Sequence, residues 1–288
     1  MHIGRFQTAL LWFTVLLYAV GRLCQLYADK LPALGIVALH VVPPAVFALV
    51  HGRILYRLKG IVIFGACCLG IGALAEIISL RTGIPFGHYH FTEVMGPKVC
   101  DVPLLLALAY LGIGYVSWMM ALLILGYRNL PIRGIRLFSL PLLASLIMLA
   151  WDLAMDPDWS TLDRAWIWHN GGAYFGVPLS NFAGWFLTAF LYYLAFALYC
   201  RRTPIRAQSI SHGFWELPIL LYAICALGNL LILRLPMAPP VVFDAAGKQW
   251  FTLDILASCT LISLLVMAPL ALLAWLRQRE SSITPIRC

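Results

Sequence analysis

The chain alternates long apolar runs with short polar or Gly/Pro-punctuated stretches. Eight apolar runs stand out, at about 8–28, 32–50, 61–80, 102–125, 137–155, 179–199, 217–235 and 253–276. Each approaches the roughly 20 residues that a helix needs to cross about 30 Å of hydrocarbon. The pattern therefore predicts an all-α fold, a polytopic transmembrane helical bundle of about eight spans. No short repeat and no low-complexity linker divides it, so residues 1–288 are expected to form a single integral membrane domain. The first run is too long for the apolar part of a signal peptide and lacks a small-residue cleavage site, so it is expected to be a true span.

Composition agrees with the pattern: 62% of residues are apolar, only 11% are charged and the mean hydropathy is +0.88. A bilayer is the solvent that such a chain requires. Charge then orients it. Arg5, Arg53, Arg57, Lys59, Arg128, Arg133, Arg136, Arg201, Arg202, Arg206, Arg277, Arg279 and Arg287 all fall on one side of the bundle when alternate loops are counted. By the positive-inside rule that side is the cytoplasm, and both termini belong there. The expected location is the cell (plasma) membrane, as a multi-pass protein. The net charge of +8 is a topology signal and an attraction to anionic membrane lipid. Basic clusters without interleaved aromatics give no reason to assign a nucleic-acid partner.

The acids are distributed the other way. Asp29, Glu93, Asp101, Asp152, Asp156, Asp158, Asp163, Asp244 and Asp254 fall in or beside the outward loops, Glu76 near the outer end of the third run, and Glu216 and Glu280 on the inner side. The long connections, about 81–101 and 156–178, also face outward, and loops of that length commonly carry function. Chemistry is expected in the outer half of the bundle. The eight cysteines contain no C-x-x-C. Most of them, Cys67, Cys68, Cys200, Cys225, Cys259 and Cys288, lie in spans or at the inner end, and a Cys24–Cys100 disulfide is disfavoured.

The first long loop carries G-H-Y-H-F-T-E, residues 87–93, with His88 and His90 two apart. One H-x-H is an incomplete metal site by the usual count of three or four ligands, so no metal and no cofactor is expected. Glu76, an acid within a span, is costly unless it serves a site or a pathway, or else it pairs with Arg81. Arg22 and Arg234 close two spans as snorkelling residues or as partners for the acids.

The richest stretch is MLAWDLAMDPDWSTLDRAWIWHNGG, residues 148–172, which sets aspartates among tryptophans. Asp152 and Asp156 are spaced i, i+4 and share a helix face, and Pro157 is expected to end that helix. Two carboxyls a turn apart in a poorly solvated place resist ionising together, so a proton stays available near neutral pH. Asp158 and Asp163 read as solvated helix caps. Trp151, the tryptophans that follow and GGAYFGVPLSNFAGW, residues 171–185, would line the acid with aromatic faces.

GHYHFTE with VPLLLALAY (87–110), AWDLAMDP (150–157) and W-x-W-x-x-GGAYFGVPLSNFAGW (166–185) together resemble the CruF-type carotenoid 1,2-hydratase family, which includes the bisanhydrobacterioruberin hydratases. The resemblance covers about residues 75–200 and implies addition of water across the 1,2 double bond of an acyclic carotenoid end group, leaving a tertiary 1-hydroxyl. It implies a lipid-soluble carotenoid substrate and association with other carotenoid-pathway enzymes.

The residues suit that chemistry. Hydrating a trisubstituted alkene takes a positioned acid to protonate C2 and water to capture the tertiary cation at C1, with aromatic faces to stabilise the charge. Asp152 is the expected acid, Asp156 its charge-coupled partner, and Glu76, His88 or His90 the group that orients water. Trp151, Trp166, Trp168, Tyr89, Tyr174, Asn181 and Trp185 are the expected substrate-binding residues. Two other classes compete. A membrane prenyltransferase or carotenoid elongase would need a second Asp-rich motif for Mg²⁺ and diphosphate. A non-catalytic carotenoid-binding membrane protein would return its pigment unchanged.

Overall fold

The structure, a computed structural model, describes residues 4–128, 130–203, 211–234 and 239–283. Arg206, Arg287 and Cys288 lie outside the described residues, as does the side chain of Arg234. Helices run over α1 (Arg5–Cys24), α2 (Ala33–Thr82), α3 (Leu104–Ile124), α4 (Arg136–Asp156), α5 (Leu179–Arg202), α6 (His212–Leu231), α7 (Thr252–Ile262) and α8 (Ala268–Ile283). Among the described residues, seven helical stretches are long and apolar enough to cross a membrane, one of them being α7 and α8 joined through a π segment, Ser263–Met267. Leucines such as Leu16, Leu58 and Leu74 are well exposed on the outside of the bundle, the pattern expected where lipid rather than water is the neighbour.

The apolar runs at about 32–50 and 61–80 both fall within α2. Fifty residues of straight helix would extend about 75 Å, far beyond one hydrocarbon layer. Arg57, with φ 62° and ψ 174°, breaks the helical path. Beyond it the chain folds back, so that a side chain added at Gly52 would strike Ile61. In an unbroken helix those residues would stand about 13 Å apart along the axis. The two runs are thus the two limbs of one bent element.

The centre of the bundle is α3. Every residue from Ala109 to Leu123 is buried, which only a helix surrounded on all sides can achieve, and α2, α4, α6 and α8 pack around it. Next to it α5 lies against α4 and α2. At one end of the bundle Arg279 pairs with Glu216 at 3.5 Å and Arg128 sits over the Trp215 ring at 5.7 Å. Basic residues expected on the inner side therefore meet there. Cys24 and Cys100 are both free thiols.

At the other end the long loops contain short strands that helical periodicity does not reveal. The loop after α2 contributes β1 (Tyr89–Phe91) and the loop after α4 contributes β4 (Trp166–Trp168), paired antiparallel with Tyr89 opposite Trp168 and Phe91 opposite Trp166. Two further ladders join β2 (Lys98–Val99) to β3 (Val102–Pro103), and β5 (Val241–Phe243) to β6 (Gln249–Phe251). Strand geometry alternates faces: Tyr89, Phe91, Trp166 and Trp168 are buried, while His90 points outward.

Pro157 does not stop its helix as expected. Helical winding continues past it as a π turn, Pro157–Leu162, in which the N–H of Asp163 reaches the carbonyl of Asp158 at 2.9 Å. A wider turn relieves the ring clash and the missing donor that make proline a helix breaker. The consequence is positional, because Asp156 remains held in regular geometry at the end of α4.

Candidate functional site

Four segments bring the acids together. Glu76 comes from the second limb of α2, Asp152 and Asp156 from α4, Asn181 from the first turn of α5, and the β1–β4 pair covers them with its buried aromatic face. Gly83, with φ +78°, ends α2 in a left-handed turn that suits a residue lacking Cβ, and the chain then reverses into β1. Glu76, Asp152, Asp156 and Asn181 are all nearly fully buried.

Each acid of the set accepts from a defined partner. The Asn181 amide donates to Asp156 Oδ2 at 2.6 Å and to Asp152 Oδ2 at 3.3 Å. The Trp166 indole N–H donates to Asp156 Oδ1 at 3.0 Å. Trp168 brings a second indole N–H toward Asp156, outside hydrogen-bonding geometry. Glu76 accepts from the hydroxyls of Tyr110, at 2.9 Å, and Tyr89. Burial pushes the Tyr89 phenol up, with Glu76 reinforcing it, so that hydroxyl stays a donor.

Among the described residues none of the three carboxyls forms a salt bridge. Leaving an ion buried without a counter-charge costs several kcal/mol, so the set cannot hold three negative charges and retains protons. Asp156 and Glu76 each accept two short bonds, which favour a carboxylate. Asp152 accepts a single long one, and the proton is therefore best kept on Asp152.

These groups surround a cavity of about 20 Å³, also walled by Phe86, Leu106, Met155 and Trp185. That volume is enough for about one water molecule, and the polar partners that a buried water needs are present. Trp185 stacks on Tyr110 at 4.6 Å and meets Trp151 edge-on at 6.3 Å. Of the residues singled out in the sequence, the structure brings Glu76, Tyr89, Asp152, Asp156, Trp166, Trp168, Asn181 and Trp185 to this one cavity. Trp151 lines a neighbouring cavity instead.

Three others are elsewhere. His88 and His90 are exposed; His88 lies across Gly83 and His90 meets His169 at 2.8 Å on the outer face of the strand pair. Strand alternation turns Tyr89 inward and its neighbours outward, so the water-orienting role expected of the histidines does not fit. Tyr174 donates to the Leu153 carbonyl at 3.2 Å and packs on Phe182, bracing α4 rather than lining the cavity. Asp163 is exposed, as expected, while Asp158 is half-buried in the π turn. Among the described residues Arg22 forms no salt bridge with an acid; it donates to Asn229 Oδ1. Among the described residues no group of three or more His, Cys, Asp or Glu is arranged to hold a metal ion.

Tyr110 was not singled out in the sequence. It stands in an apolar helix 34 residues from Glu76, and no local spacing connects them. The signal was only that a tyrosine in a fully buried helix needs a partner for its hydroxyl.

The fold and the site together define a helical membrane protein with a buried pocket of acids and indoles. The chain belongs to the carotenoid biosynthesis protein family, whose pattern it matches over residues 33–246, a span that contains every residue of the acid cavity. It is also similar to a bisanhydrobacterioruberin hydratase from Haloarcula japonica, 30% identical over 134 residues. That match spans 46% of this chain and 43% of the relative, less than half of either. No solved structure matches the chain.

Proposed function

We propose that the protein hydrates the 1,2 double bond of an acyclic carotenoid end group, giving the tertiary 1-hydroxyl. The observation that carries this reading is the buried carboxyl set without a salt bridge among the described residues, framed by indoles and phenols around a cavity sized for water. The matched family and the name of its hydratase relative support the same substrate class.

Asp152 delivers its proton to C2 of the alkene, and the π electrons form the new C–H bond. The positive charge left at C1 is tertiary, and the faces of Trp185 and the lid tryptophans stabilise it through their quadrupoles. Asn181 ties Asp152 to Asp156, so the charge left on Asp152 is met by an amide N–H. Tyr89 and Tyr110 fix Glu76 as the third member of the proton-sharing set. Exclusion of bulk water by the β1–β4 lid strengthens every one of these interactions. The site lies in the outer half of the bundle, within reach of a polyene dissolved in the plasma membrane.

The test is expression in a host that accumulates an acyclic polyene, followed by mass spectrometry of the extracted pigments. A gain of one water per modified end is expected. Release of diphosphate with a longer product would favour an elongase, and unchanged pigment copurifying with the protein would favour a carrier. Either result, or loss of two hydrogens, overturns the proposal.

A further inference from the structure

A larger cavity, of about 60 Å³, lies among the loops at the same end of the bundle as the acids. Ser160, Thr161, Arg164 and Asp244 make its lining polar. Arg164 and Ala245, also in the lining, are exposed, so this space is a vestibule that opens toward solution. The turn between β5 and β6 that carries Asp244 and Ala245 is seated closely: a Cβ added at Gly171 would come within 2.9 Å of Asp244 Oδ2. The Asp244 carboxylate in turn accepts from the backbone N–H groups of Ala246 and Lys248 and from the Trp250 indole, at 2.9–3.0 Å.

Trp168 lines both the vestibule and the acid cavity, and it is the one residue they share. A single indole therefore stands between a polar space open to solution and the carboxyls. The two spaces also meet at the start of the π turn, where the Ser160 hydroxyl donates to the Asp156 carbonyl at 2.7 Å. The two indoles of β4 are held differently. The Trp166 N–H is fixed to Asp156 Oδ1 at 3.0 Å, whereas the Trp168 N–H has no hydrogen-bond partner among the described residues. Leaving a buried N–H unpaired is costly, and the Trp168 ring is held by packing, on Tyr89 at 4.7 Å. A tilt toward the vestibule gives that N–H a water to bond and opens the way to the acids.

We infer that water enters the acid cavity from solution through this vestibule, with Trp168 as the movable partition. The need for such a supply rests on the hydration reading: each turnover consumes one water, and the acid cavity, at about 20 Å³, holds about one. The vestibule has room for about four. The other neighbouring cavity, beyond Leu106, Met155 and Trp166, is a poorer source, because none of the described residues that line it is exposed. An apolar polyene and a water molecule thus approach the same acids by separate routes, one from the bilayer and one from the loops.

Indole N–H exchange tests this in ¹⁵N-tryptophan-labelled protein, held in nanodiscs and transferred to D₂O, with signals assigned by Trp→Phe substitution. Trp118, buried at the bundle centre and donating to the Tyr56 hydroxyl at 2.8 Å, is the slow reference. Trp168 reports the partition and Trp166 the acid cavity. In the wild type Trp168 should exchange about 10-fold faster than Trp118 or more, as expected where local opening rather than global unfolding admits solvent. Exchange as slow as that of Trp118 overturns the proposal. Ile167 lines the vestibule from the outward face of β4, and Ile167→Trp should fill it, its added indole being the extra signal. Exchange at Trp166 and Trp168 should then slow while Trp118 is unchanged. Unaltered Trp166 exchange in folded Ile167→Trp means that water arrives by another route and overturns the proposal. If Ile167→Trp does not fold, Ala245→Trp on the exposed turn is read in the same way. A wild type with the expected exchange that hydrates no polyene refutes the hydration reading and leaves the vestibule as the water entrance of the acid cavity.

Discussion

Replacing Asp152 by asparagine removes the proton and almost nothing else. Asp152 accepts one contact, from Asn181 at 3.3 Å, and an asparagine oxygen can accept the same bond. A typical hydrogen bond contributes a net 0.5–1.5 kcal/mol, and exchanging one neutral buried group for another adds no charge-burial cost. Folded protein should therefore fall by no more than about 1 kcal/mol of stability. Loss of a general acid typically costs 10²–10⁴-fold in rate, or about 2.7–5.5 kcal/mol of barrier. The contrast with Asp156→Asn sharpens the test. Asp156 accepts from both Asn181 and Trp166, at 2.6 and 3.0 Å, whereas an amide has one acceptor oxygen. One donor would then face an N–H, at a cost of about 1–3 kcal/mol, so the yield of folded protein should drop as well. The assay is pigment mass spectrometry normalised to folded protein by size exclusion. Asp152→Asn should lose rate but not yield, and exposed Asp163→Asn should lose neither. Undiminished hydration per folded Asp152→Asn molecule would refute the assignment and move the acid to Glu76.

Three other expectations can be checked independently. Reporter fusions after Arg202 should give a cytoplasmic signal and those after Asp163 an outward one; the reverse pattern would invert the membrane orientation. Hydration should survive strong chelation, and loss of activity restored by one divalent ion would show that metal activates the water. His90 should titrate below an ordinary histidine, because partial desolvation and then the nearby His169 and Lys98 disfavour its charged form. The unfolded chain binds that proton more readily, so the small stability it carries is present above about 6.5, the ordinary histidine value, and is lost as pH falls below that and through the lowered value of the folded protein. An NMR midpoint at or above that value would contradict the geometry.

Much of this protein is determined locally. Long apolar runs specify membrane helices whatever their neighbours, because an unsatisfied backbone in hydrocarbon is too costly for any other local structure. The i, i+4 spacing of Asp152 and Asp156 fixes two carboxyls to one helix face, and their tryptophan-rich surroundings mark the region as unusual. Those features could be read without knowing what lies across the bundle. Tertiary structure decided the rest. The bend at Arg57 turned two runs into limbs of one element, and the π turn at Pro157 carried a helix past its expected end. Pairing of β1 with β4 turned Tyr89 in and His88 and His90 out, a choice of face that depends on register with a strand some 75 residues away. Tyr110 found Glu76, and Arg22 found Asn229, through packing between separate helices. Sequence distance carries no information about such contacts, because in a bundle the partner of a buried polar group is set by which helices abut and at what depth.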